Sequence, residues 1–144
     1  MNNDPILLVE DNPDDVTLTL RAFRKNNISN EIIVAIDGEQ ALDRLFPSDG
    51  TSPLHPALIL LDVKLPKIDG LQVLRRLRAD PQTQQIPIVV LTTSSEERDI
   101  VESYRLGANS YVRKPVVFSD FLNAANVLGM YWLLVNEPPP VRQG

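Results

Sequence analysis

The feature that most constrains this chain is a set of short, wholly apolar runs, each cut off by turn residues. The plainest is Leu58-Ile59-Leu60-Leu61, which runs straight into Asp62 and is followed by Pro66 and Asp69-Gly70. Four apolar residues without polar alternation fit a strand buried on both faces, and such a strand needs helices on either side of it. The same reading applies to Ile6-Leu7-Leu8-Val9, to the β-branched segment from Glu31 to Ile36, to Ile86 through Leu91, and to the short Ser110-Tyr111-Val112.

Helical signals fill the gaps. Asn12-Pro13-Asp14-Asp15 supplies a cap, a proline at the first helical position and acids in the first turn. Val16, Leu20 and Phe23 then recur at helical spacing. Asp37 with Gln40 three residues on reads as a cap for a short helix carrying Ala41, Leu42 and Leu45. Leu71, Leu74 and Leu77 mark a helix that ends at Asp80-Pro81. Ser94-Ser95-Glu96-Glu97 opens another, closed by Gly107. A last helix is expected from about Phe118 to Leu134. Strands alternating with helices predict an α/β fold, a five-stranded parallel sheet wound on both faces. The residues following each strand then gather on one sheet edge, where ligands of such sheets bind.

Composition narrows the function. The chain has 144 residues, no cysteine and a net charge of −5, with its 14 Lys and Arg scattered. A thiol nucleophile, a disulfide framework and a Cys-based zinc site are therefore excluded. A basic stripe for nucleic acid or an anionic membrane is missing, so no direct nucleic-acid or membrane partner is expected. The N-terminus shows no secretory signal pattern and no run reaches membrane-spanning length, so the expected compartment is cytoplasmic.

The expected edge collects Glu10, Asp11, Asp62, Thr92 and Lys114. Taken alone, an acid at the mouth of a strand is better explained by a helix cap than by a site. Three carboxylates together are not, because they repel and each resists ionisation. A hard divalent cation relieves the repulsion, and magnesium suits a few oxygen ligands, several waters and a bridging phosphate. Asp62 is then placed to attack a phosphoryl group as a carboxylate nucleophile, with Lys114 and Thr92 on the phosphoryl oxygens.

The acid pair Glu10-Asp11, Asp62 with Pro66 and Asp69-Gly70, then Thr92, Tyr111 and Lys114-Pro115 resemble, in that order, a receiver domain of a two-component response regulator over roughly Pro5 to Leu134. The resemblance implies a flavodoxin-like fold with strand order 2-1-3-4-5. It implies that Asp62 accepts phosphate from a sensor histidine kinase. It also implies that Asp11, Asp62 and the backbone carbonyl of Lys64 bind Mg2+, with Glu10 acting through a metal-bound water. Thr92 and Tyr111 become the switch pair, the surface of helix 4, strand 5 and helix 5 changes its partner preference, and the Lys114-Pro115 bond is expected to be cis. Glu10 stands where an Asp is commoner. Lys64 reads either as a surface lysine or as a cation that alters how water reaches the phosphoryl group.

Other residues read more plainly. His55 lies in the proline-rich loop 47–56 and is expected to be solvated, as are Arg75, Arg76 and Arg78 on the third helix. Thr93 reads as the start of a turn. The last helix carries one apolar stripe for the sheet and a second, offset one with Val127, Tyr131 and Leu134, which points to a homodimer through that helix. Residues 1–135 are expected to form the receiver and 136–144 a short tail, with no output domain. That ending resembles small stand-alone regulators paired with bacterial phytochrome-type sensor kinases. The expected protein is no enzyme beyond its own phosphorylation and dephosphorylation. Two rivals remain: a pseudo-receiver of the same fold that binds partners without phosphate, and a true enzyme such as an aspartate-nucleophile phosphatase, which wants an acid where Lys64 stands.

Overall fold

The computed structural model describes residues 4–25, 28–92 and 96–113. Strands and helices alternate through it: β1 (Ile6–Val9), α1 (Pro13–Lys25), β2 (Ile32–Ala35), α2 (Gly38–Leu45), β3 (Leu58–Leu61), α3 (Gly70–Ala79), β4 (Ile88–Thr92), α4 (Glu97–Arg105) and β5 (Ser110–Arg113). The strands form one parallel sheet in the order β2-β1-β3-β4-β5, as expected. Lys114, Pro115 and the last helix with Val127, Tyr131 and Leu134 lie outside the described residues.

The apolar runs do what an unalternated run must, burying both sides of the pleat. Leu7, Val9, Ile59, Leu61, Ile88 and Val90 join Ala41 and Leu45 of α2 and Val73, Leu74 and Leu77 of α3 in one core. Their neighbours Ile6, Leu8, Leu58, Leu60, Val89 and Leu91 join Ala22 and Phe23 of α1 in the other. Two cores on one sheet are the consequence of side chains alternating across a strand with a period of two.

Helix starts follow local chemistry. Asn12 Oδ1 accepts from the N–H groups of Asp14 and Asp15 at 2.9 and 3.3 Å. Asp37 accepts from the Gln40 N–H at 2.8 Å. Asp69 and Gln72 form a complete capping box at the head of α3. Asp62 therefore caps no helix; Asp69, seven residues on, does so. The strands differ slightly from expectation: β4 starts at Ile88, after Pro87, and extends to Thr92. A proline cannot donate to the ladder, which accounts for the later start. α4 is entered through Glu96, whose side chain makes no cap bond; Ser94 and Ser95 lie outside the described residues.

Arg78 corrects the expectation of three solvated arginines. Arg75 and Arg76 are exposed, but Arg78 is partly buried and donates to the carbonyls of Gly107, Gln84 and Ile86, each at 2.8 Å, and to Asn109 Oδ1 at 2.8 Å. A planar guanidinium with five donors can satisfy several carbonyls left over where two loops meet. Burial lowers its pKa.

Candidate functional site

Register assembles the site. Val9 pairs with Leu61 across β1 and β3, and Leu61 pairs with Val90 across β3 and β4. Glu10 and Asp62 therefore leave the sheet side by side, with Thr92 at the end of the next strand. Ligand oxygens of Glu10, Asp11 and Asp62 lie within 4.8 Å of one another. Glu10 and Asp62 are buried at 2% and 5% exposure, while Asp11 faces solvent.

The two buried carboxylates are oriented by hydrogen-bond donors. The Asn12 N–H donates to Glu10 Oε1 at 3.3 Å. Asp62 Oδ1 accepts from the Lys64 N–H at 2.9 Å and from the buried Thr92 hydroxyl at 2.6 Å. Such a fixed rotamer suits a group that must present one geometry repeatedly. The donor set, hard oxygens at one mouth with one of the acids open to water, fits an oxygen-seeking divalent cation.

The loop after β3 is fastened closely. The Gly70 N–H donates to the Val63 carbonyl at 3.2 Å, and a Cβ at Gly70 would run into the Asp62 carbonyl oxygen. Only a residue without a side chain lets α3 start this near Asp62. Lys67 stands at φ 63, in the left-handed region. Its ammonium lies 3.6 Å from Asp37 and 3.7 Å from Glu39, at the head of α2. Lys64 reaches the other way, to Asp99 and Glu96 at 3.3 and 3.8 Å.

Of the sequence-predicted residues, Glu10, Asp11, Asp62 and Thr92 come together. Tyr111 stands beside Val90 in β5, half-buried against the α2–α3 core, and its N–H donates to the Tyr104 hydroxyl at 3.2 Å. His55 is exposed, as expected. Thr93 lies outside the described residues. Sequence reasoning missed the two lysine bridges and the burial of Asp99. No motif marks them, since a charged residue on a helix or loop looks the same whether paired or solvated.

The fold, the carboxylate cluster and the Thr92 contact define a class, and comparison with known proteins agrees: the response regulator receiver domain matches residues 6–126. The chain belongs to that family. It is similar to response regulator Rcp1 of Synechocystis, at 38% identity over 89% of this chain and 88% of that protein. The Mn2+-bound structure of Rcp1 superposes with a TM-score of 0.85 at 35% identity, covering 95% of this chain and 99% of the other. The phosphorylated cyanobacterial phytochrome response regulator RcpA gives a TM-score of 0.88 at 35% identity, over 96% of this chain and all of that one. The bacteriophytochrome response regulator RtBRR is 50% identical, over 96% of this chain and 86% of that one, with a TM-score of 0.74. The intact acid cluster in a receiver of this kinship gives the pseudo-receiver reading no support. Among the described residues, no helix is long and apolar enough to cross a membrane.

Proposed function

We propose that this chain is a phosphorylation switch whose Asp62 takes a phosphoryl group from the histidine of a sensor kinase in a Mg2+-dependent reaction. The observation that carries this reading is the convergence of Glu10, Asp11 and Asp62 within 4.8 Å, with the Thr92 hydroxyl on Asp62 Oδ1. An Asp62 oxygen forms the new O–P bond while the donor's P–N bond breaks, and the departing imidazole keeps the electron pair. Asp11, Asp62 and the Lys64 carbonyl are the proposed Mg2+ ligands, with Glu10 holding a metal-bound water. When bound, the ion supplies charge neutralisation for the carboxylates and the phosphoryl oxygens. Thr92 and Lys114 hold phosphoryl oxygens, and Tyr111 follows Thr92 as the switch is thrown.

The relatives described as phytochrome response regulators support a phytochrome-type kinase as partner. The last helix, through Val127, Tyr131 and Leu134, is the proposed homodimer surface, in a cytoplasmic protein that binds no nucleic acid directly. Residues 1–135 are the proposed receiver, and its only catalysis is of its own phosphorylation and dephosphorylation.

The test is intact-mass analysis after incubation with Mg2+ and phosphoramidate, beside Asp62→Asn. Wild type is expected to gain one base-labile phosphoryl group and the variant none. A folded wild type that gains nothing removes Asp62 as acceptor and restores the phosphate-independent binding module.

A further inference from the structure

Lys64 makes two links at once. Its backbone N–H holds Asp62 Oδ1 at 2.9 Å, while its ammonium lies 3.3 Å from Asp99 Oδ2 and 3.8 Å from Glu96 Oε1 at the start of α4. The two ends of the bridge are unequal: the Lys64 side chain is 54% exposed and that of Asp99 only 7%. Exposed ion pairs contribute little, but a carboxylate withdrawn from water leans on the partners it has. The same loop is tied to α2 on its other flank by Lys67, which bridges to the buried Asp37 from a left-handed backbone conformation. A residue with a β-carbon stays in that region only where its surroundings hold it there. The segment that presents the acceptor is thus fastened to a helix on each side.

We infer that Lys64 is a positioning residue for phosphoryl transfer to Asp62, an inference that rests on the acceptor role proposed above. Its ammonium pins the loop after β3 to the first turn of α4, and that anchorage lets its amide hold the Asp62 carboxylate in the attacking orientation. The backbone from residue 62 to residue 64 lies outside regular secondary structure. The Asp62 N–H donates to the Val9 carbonyl and the Gly70 N–H to the Val63 carbonyl, and the Lys64 ammonium adds an anchor to α4 at the residue whose amide holds Asp62. Because the bridge joins acceptor loop and helix, coupling runs both ways: whatever strains the loop at Asp62 is felt at α4.

The same ammonium could instead act by its charge, drawing in the anionic donor, and the two roles separate cleanly at Asp99. If Lys64 is a strap, Lys64→Met and Asp99→Asn each cut the same link and act in the same direction. If its charge acts directly, removing the charge slows transfer, while Asp99→Asn releases the ammonium from its nearer partner, leaving only the exposed Glu96, and speeds it. The experiment is the rate of phosphorylation by phosphoramidate and Mg2+ for wild type, Lys64→Met, Asp99→Asn, the double variant and Lys64→Arg, with amide hydrogen exchange across residues 97–105. Both single variants are expected to slow transfer roughly fivefold and to speed exchange in α4, the double to be no slower than either single, and Lys64→Arg to restore both readings. Opposite effects of the two single variants on the rate, or unchanged exchange in α4 in Lys64→Met, overturn the strap while the acceptor role of Asp62 stands. No adduct on wild type overturns that role and this inference with it.

Discussion

At the scale of single residues, Gly70 sets the tightest tolerance in the site. A side chain there meets the Asp62 carbonyl oxygen and the Val63 Cα, and both are backbone, so neither can turn aside. Gly70→Ala is expected to cost about 2–3 kcal/mol, measured by urea unfolding, and to slow phosphorylation of Asp62 because β3 or α3 must shift. Asp62 and Asp69 show how one residue type divides two tasks within a short span. Asp69 is exposed and exchanges capping bonds with Gln72, whereas Asp62 is buried and accepts from an amide and a hydroxyl. Sequence reasoning could place both acids at the end of the run but could not say which one headed α3. The deciding fact is where the helix starts, and Gly70 fixes that by how closely it can approach the strand.

At the scale of elements, Arg78 ties α3 to the two loops that lead into β4 and β5. Its acceptors are neutral oxygens: the carbonyls of Gln84, Ile86 and Gly107 and the Asn109 side chain. Asn109 in turn accepts from the Ile88 N–H at 2.8 Å, where β4 begins. Gly107, at φ 106, presses its Cα face against the Arg78 side chain. Arg78→Met is expected to lose about 3 kcal/mol of stability by leaving several carbonyls without a donor, and to speed amide exchange at residues 84–88 and 107–109. Arg78→Lys is expected not to rescue it, since one ammonium cannot span acceptors on two loops. Its neighbour Arg76 behaves as a surface arginine, lying 3.9 Å over the Phe46 ring and pairing with Asp80. Sequence position alone cannot separate the two, because Arg75, Arg76 and Arg78 share composition and spacing and differ only in what the loops bring to them.

At the scale of the whole molecule, a divalent cation held as proposed by Glu10, Asp11 and Asp62 would couple its binding to folding. An ion bound only by the folded chain at about 100 times its dissociation constant adds about 2.7 kcal/mol, or roughly 8 °C in the unfolding midpoint for a chain of this size. Magnesium is expected to raise the midpoint of wild type by that order, and chelation to reverse it. Asp11→Asn is expected to unfold slightly later than wild type without metal, since one of three repelling charges is gone, yet to gain little from magnesium; thermal scans with and without the ion check both. The sequence by itself determined the strands, their parallel sense and the residues at their ends. A doubly buried strand has to read as an unbroken apolar run, and right-handed crossovers leave one edge for the acids. Only the tertiary structure decided the register of Val9 with Leu61, the Arg78 junction and the bridges of Lys64 to Asp99 and Lys67 to Asp37. Periodicity records which face a residue turns to the core. It holds no record of which distant residue a charged side chain meets, because that is settled only when the layers close on one another.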